Sequence, residues 1–379
     1  MNTYDTRPDA YQSVSLDDWT DWRWQQRHQL RAPEDFEGVL ELSDREYRGF
    51  SQTEGDFRVG VTPYYASLMD PSDPDCPVRR QGLPDPEEAR RADFERRDPL
   101  AEEEHMPVQG LTHRYPDRVL FYVTHHCPVF CRHCTRKRKV SDPKTAASTG
   151  QIEQGLEYIR QNRDVRDVLV SGGDPLTLSD DRLMAILGAL RDIDHVEVVR
   201  LGTRNPVTLP YRVTESLCDR LAEVAPIYLN THFNHPREVT SEAQRALRRL
   251  LSAGCVLGNQ MVLLRGINDD PETVMDLNRR LLSAGCRPYY MLQCDMAQGI
   301  THFRTSLRRG LEIMDHLRGR IAGMGVPDFV VDLPGGGGKV ELVPQYLEER
   351  SRGDAFDEVV FRNWRGETYR FADIVEEYS

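Results

Sequence analysis

Six short runs rich in β-branched and aromatic residues, interleaved with longer stretches of helical spacing, constrain the fold of this chain more than any other feature. The runs are VLFYVT (119–124), VRDVLVSGG (165–173), VEVVRLGTR (196–204), PIYLNTHF (226–233), VLGNQMVLLRG (256–266) and RPYYMLQCD (287–295). After the first run Ile152, Leu156 and Ile159 share one helical face; after the last, so do Leu307, Leu311, Met314, Leu317 and Ile321. Strand–helix units in series pair their strands in parallel through right-handed crossovers. An open doubly wound sheet and a full or partial barrel both satisfy that pattern, and in both the chemistry gathers at the C-terminal ends of the strands. Cys127, Gly172–Gly173–Asp174, Arg204, His232 and Asp295 follow or end successive runs, which predicts one central site.

Residues 1 to about 110 read as helical and irregular. DWTDWRWQQRHQL sets Trp19, Trp22 and Trp24 in a short amphipathic stretch, predicting a helix that docks through aromatic surface. Residues 70 to 104 are rich in Pro, Asp, Glu and Arg and read as a long surface connection with short helical pieces. The 379 residues allow a sizeable core. A net charge of −12 disfavours binding to a phosphate backbone. The polar, acidic start argues against a secretory signal or transit peptide, and no run approaches the roughly 18 apolar residues of a membrane span. A cytoplasmic protein with no nucleic-acid or membrane partner is expected.

Three of the eight cysteines, Cys127, Cys131 and Cys134, fall in THHCPVFCRHC with C-x3-C-x2-C spacing. Thiolates suit zinc and iron–sulfur clusters. A structural zinc site wants four ligands, and the other cysteines offer no C-x2-C partner pair; His125, His126 or His133 could supply a fourth. A [4Fe–4S] cluster held by three thiolates leaves one iron open to the amino and carboxylate groups of a small molecule. Spacing alone leaves both readings standing. The segment PGGGGK ends in Lys339 and is followed by Val340. A phosphate-cradling loop would carry Ser or Thr there, so the segment does not read as one.

Together, THRYPDR (112–118), CRHCTRKR (131–138), SGGDPL (171–176), LNTHFNHP (229–236), GNQMVLLRG (258–266), CDMAQGITHFRT (294–305) and FVVDLPGGGGK (329–339) resemble the lysine 2,3-aminomutases of the radical S-adenosylmethionine superfamily. The resemblance implies a partial (β/α)6 TIM-like barrel over 111–325, a helical N-terminal region over 1–110, and a C-terminal segment over 326–379 that carries the pyridoxal lysine. It implies a [4Fe–4S] cluster on Cys127, Cys131 and Cys134, with S-adenosylmethionine on the open iron. His133, Ser171, Gly172, Gly173, Asp174, His232 and Gln260 match positions around that ligand. Lys339 matches the lysine that carries pyridoxal phosphate, with Arg114, Tyr115 and Arg118 near its phosphate. Arg136 matches the partner of the substrate carboxylate; Asp295 and Asp332 match the two acids that hold a distal ammonium. The implied reaction is a 1,2-amino shift begun when a 5′-deoxyadenosyl radical removes a β-hydrogen.

Two facing acids repel unless a cation lies between them, which favours a cationic amino acid and disfavours glutamate. Lysine is the leading substrate; arginine pairs with carboxylates too and stays open. A non-catalytic zinc-binding protein is the alternative from another class. The family's zinc-binding, Cys-rich extension has no counterpart after Cys294, and its internal partner cysteine matches Asp270, so no structural zinc is expected. A flavodoxin- or ferredoxin-type electron donor and a homo-oligomer are implied as partners.

Overall fold

The computed structural model describes residues 7–140, 147–352 and 356–374. A nine-stranded curled sheet organises it: β1 (Leu111–Tyr115), β2 (Arg118–Thr124), β3 (Asp167–Gly172), β4 (Val198–Gly202), β5 (Ile227–Thr231), β6 (Cys255–Leu263), β7 (Arg287–Gln293), β8 (Asp328–Leu333) and β9 (Gly338–Glu341), paired in chain order. Strands β2 to β8 run parallel, and antiparallel β1 and β9 close the two edges. The six predicted runs are β2 to β7. The seventh parallel strand, β8, lies in FVVDLPGGGGK, so the sheet continues to Glu341, past the expected boundary at 326. Strands and crossover helices together make the partial barrel that was expected.

Six crossover helices cover the outer face: α1 (Thr149–Gln161), α2 (Asp180–Arg191), α3 (Glu215–Glu223), α4 (Ser241–Ser252), α5 (Pro271–Ser283) and α6 (Leu307–Leu317). Each starts at a side chain that accepts a backbone N–H of its first turn: Ser148, Ser179, Thr214, Thr240, Asp270 and Ser306. Such caps contribute about 1 kcal/mol each. Asp270 thus has a local reason of its own as the cap of α5. Ile152, Leu156 and Ile159 are buried as expected. On α6 the buried face is Gly310, Ile313, Met314 and Leu317; Leu307 is exposed and Ile321 lies beyond the helix. The reason is Gly310, where a Cβ would lie 2.1 Å from the Phe329 ring of β8, so the helix seats by that side.

The Trp-rich stretch forms two short helices, Leu16–Thr20 and Trp22–Arg27, split at Asp21, whose carboxylate caps the second. Trp19 donates to the Tyr211 hydroxyl at 3.1 Å, and the Arg212 guanidinium lies 4.6 Å above the Trp22 ring, which docks the segment on the barrel. Residues 70 to 104 depart from the surface connection expected. Arg79, Gln81 and Glu88 within it are fully buried, because each meets a partner inside: Arg79 pairs with Glu46, Gln81 with Glu238, Glu88 with Arg132. After the barrel, β10 (Leu347–Ser351), β11 (Phe356–Arg362) and β12 (Thr368–Ile374) form a separate antiparallel sheet. Among the described residues no helix is long and apolar enough to cross a membrane.

Candidate active site

One cavity at the C-terminal ends of the parallel strands is lined by Cys127, Cys131, His133, Cys134, Arg136, Ser171, Gly172, Gly173, Asp174, His232, Gln260, Asp295, Asp332 and Lys339. Sheet order explains the gathering: the cysteine loop leaves β2, Ser171 to Asp174 end β3, His232 follows β5, Gln260 lies in β6, Asp295 follows β7, Asp332 lies in β8. The His125 and His126 rings lie tilted against each other, 4.0 Å between centroids, and line a different cavity, with Phe50 and Phe130. They adjoin Cys127 in the chain but do not line the cavity that holds the cysteines.

The end of β3 is tied to the cysteine loop by backbone. Gly173 N–H donates to the Thr124 carbonyl and Asp174 N–H to that of His126, both at 2.6 Å. Gly172 has φ +129, and a Cβ there would lie 2.4 Å from the Thr124 oxygen; at Gly173 it would lie 2.3 Å from that of His126. The glycines thus serve a backbone-on-backbone crossing. Asp174 is buried and accepts from Thr203 Oγ1 (2.6 Å), Arg204 N–H (2.7 Å) and Leu176 N–H (3.1 Å). Its carboxylate holds the strand ends together while it lines the cavity.

The three thiols are free. Burial, then neighbouring charges, pushes the Cys127 thiol well above its usual range and that of Cys134 up to about 11. Such thiols stay protonated until a metal displaces the proton. Among the described residues no three His, Cys, Asp or Glu side chains close on one point as a single ion needs; a cubane asks instead for one thiolate on each of three irons. His133 is buried, with Nε2 facing the Asn234 amide at 3.3 Å and Nδ1 without a partner. Burial and Arg204 hold its imidazole well below the usual range. They hold that of His232 down at about 4. Both rings are neutral. An unmet donor beside three thiols on one wall fits a cluster with a polar ligand on it.

Beneath that wall lies a residue to which the sequence assigned no role. Arg204 donates to Cys131 Sγ (2.8 Å), Gln81 Oε1 (2.6 Å), Glu238 Oε1 (2.8 Å) and the His232 carbonyl (3.0 Å). Only its place after the third run was visible in advance; its partners come from three separate segments.

At the far end, β8 and β9 form a hairpin in which Asp332 lies directly opposite Lys339. Lys339 Nζ donates to Asp332 Oδ2, and Arg114 donates to the other oxygen at 3.1 Å. The Tyr115 hydroxyl accepts the Lys339 N–H at 3.0 Å. The turn before Lys339 is a defined hairpin: Gly335, Gly336 and Gly338 have φ of +69, +83 and +85, which favours glycine. A primary amine held in a cavity by a carboxylate fits an aldehyde cofactor. Arg114, Tyr115 and Arg118 are absent from the cavity wall. Arg114 is engaged by Asp332, and Arg118 pairs through Nη1 with Asp117 (3.2 Å) and stacks on Tyr115 (4.1 Å). Burial, then Asp332, pushes the Asp295 carboxyl up to about 7. Arg136 is gripped by Glu102, a partner that sequence reading missed.

A family model described as lysine-2,3-aminomutase matches residues 314–375, and one described as the radical SAM superfamily matches 121–277. The L-lysine 2,3-aminomutase of Fusobacterium nucleatum is 47% identical over 97% of this chain and 85% of that protein. The L-lysine 2,3-aminomutase of Clostridium subterminale is 46% identical over 95% and 86%. A glutamate 2,3-aminomutase of Clostridioides difficile is 41% identical over 94% and 83%.

Proposed function

This chain belongs to the lysine 2,3-aminomutase family of radical SAM enzymes, and from that premise we propose that it converts L-lysine to β-lysine with pyridoxal phosphate carried on Lys339. Membership makes it an isomerase, an aminomutase that works with a [4Fe–4S] cluster, S-adenosylmethionine and a reductant. The substrate and the pyridoxal cofactor are the proposal. The observation that carries it is the pair Asp295 and Asp332 on the wall that also bears Lys339 and the three cysteines.

When bound, the cluster and S-adenosylmethionine supply a hydrogen-abstracting radical, and pyridoxal phosphate supplies a covalent carrier for the migrating amine. Cys127, Cys131 and Cys134 would hold the cluster, with Arg204 supporting Cys131 from below. His133, Ser171, Gly172, Gly173, His232 and Gln260 would line the S-adenosylmethionine side, braced by Asp174. Lys339 would hold the pyridoxal aldehyde, with Arg114, Tyr115 and Arg118 toward its phosphate. Arg136 would take the substrate carboxylate, and Asp295 and Asp332 its distal ammonium. An acid pushed up to about 7 beside a second acid is relieved by a cation between them. Anchoring both substrate ends fixes which hydrogen meets the radical, and a closed cavity limits side reactions. A flavodoxin- or ferredoxin-type donor and a homo-oligomeric state belong to the same proposal.

Anaerobic incubation of the reconstituted protein with S-adenosylmethionine, pyridoxal phosphate, dithionite and equimolar L-lysine, L-arginine and L-glutamate tests it. β-Lysine as the dominant product is expected. Preferential turnover of arginine or glutamate would overturn the substrate assignment.

A further inference from the structure

A guanidinium presents two edges to a carboxylate, Nε–Nη2 and Nη1–Nη2. Glu102 takes the first edge of Arg136: Nε lies 3.0 and 2.9 Å from the two carboxylate oxygens, and Nη2 donates to one of them. Among the described residues Nη1 has no hydrogen-bond partner. Arg136 lines the cavity, and so do Asp295 and Asp332. Glu102 itself is largely buried, its side chain 12% exposed. It comes from an acidic strap running over the cysteine loop. In that strap Asp98 and Glu103 pair with Arg138, and Glu103 with Lys139. The strap is also stitched to the hairpin of Lys339, since Gly335 N–H donates to the Pro99 carbonyl at 3.0 Å. Ala101, next to Glu102, has φ +51, the one left-handed non-glycine among the described residues. Such strain persists where the surroundings demand it.

We propose that Glu102 is a positioning residue: it clamps Arg136 by one edge so that the other faces the substrate carboxylate, and it keeps Arg136 off the acidic pair at the opposite end. The proposal rests on the reading of Arg136 as the carboxylate anchor. The physical reason is charge separation. A cationic amino acid needs a positive subsite and a negative subsite held apart, and a loose arginine sharing a cavity with two carboxylates would fold onto them and erase both. A second carboxylate behind the arginine prevents that. The arginine also stays rigid, so less freedom is lost when the substrate docks.

Binding is measured by calorimetry on the holoenzyme without S-adenosylmethionine, so that no turnover occurs. L-Lysine is compared with 1,5-diaminopentane, which lacks the carboxylate; if the enzyme turns over arginine, L-arginine is compared with agmatine. Glu102→Gln is expected to weaken the amino acid at least tenfold and the diamine less than twofold, with unchanged iron and sulfide content. In turnover KM rises more than kcat falls, and Glu102→Asp recovers part of the loss. Amino-acid binding within twofold of wild type in Glu102→Gln overturns the clamp. Arg136→Lys separates the two failures. If it weakens amino-acid binding while Glu102→Gln does not, the clamp alone fails; if it too changes nothing, the anchor reading fails and takes the clamp with it. Should Glu102→Gln lose its cluster, Glu102→Asp decides by the same amino-acid-to-diamine ratio.

Discussion

Asp295 is where a single ionisation governs the proposed chemistry. Burial, then Asp332, lifts its carboxyl to about 7, so below that pH it is neutral and cannot hold an ammonium. At pH 6 roughly nine-tenths of it is protonated. KM for lysine is therefore expected to fall roughly tenfold between pH 6 and 8, a dependence that Asp295→Asn abolishes along with most affinity; a flat KM–pH profile in the wild type would contradict this. Lys339 offers a covalent test. Borohydride should trap a pyridoxyl adduct on that lysine in the wild type and none in Lys339→Ala. Both residues were legible in the sequence because their motifs are local. The partners of Arg204 and the role of Glu102 were not, because a side chain's partner 28 to 123 residues away leaves no local trace.

At the scale of elements the crossing of β2 and β3 is the most demanding join. A Cβ at Gly172 would meet the Thr124 carbonyl at 2.4 Å, at a φ of +129 that L side chains avoid. Gly172→Ala is expected to cost about 2–4 kcal/mol and to lower iron per chain, because the strained strand end carries the cysteine loop with it. Thermal unfolding together with iron quantitation reads both effects; a stable variant with full iron would show that the join tolerates a methyl group. The runs from 119 to 295 were legible as strands by their length and β-branching. The strand β8 and its hairpin were not, because four consecutive glycines read as a flexible turn. Pairing with β7 on one side and β9 on the other makes FVVDL a strand and sets Asp332 opposite Lys339.

Across the whole molecule the N-terminal region supplies the counter-charges for the cysteine loop. Glu88 is fully buried between Arg132 and Lys137: Arg132 Nε lies 2.9 Å from one oxygen, and Lys137 Nζ lies 3.0 Å from the other. Burial alone would raise this carboxyl, yet the two cations hold it down at about 2. Glu88→Gln leaves two buried cations short of a charge, which typically costs 3–5 kcal/mol. Chemical denaturation is expected to show a loss in that range, with activity falling through cluster retention; a change under about 1 kcal/mol would mean that the pair behaves like a surface bridge. The contrast with the surface connection expected for residues 70–104 has the same root. Composition counts the charges and is blind to whether a partner waits inside.

The amino-acid sequence determined by itself the series of parallel strand–helix units, the three-thiol loop and the lysine after four glycines, because periodicity and short motifs act over a few residues; periodicity left open whether the sheet lies open or curls into a barrel. The tertiary structure alone decided which charges meet: Glu102 with Arg136, Arg204 with Cys131, Glu88 with Arg132. Those pairs form only once sheet order brings distant strand ends together, and burying them is favourable only when both partners arrive.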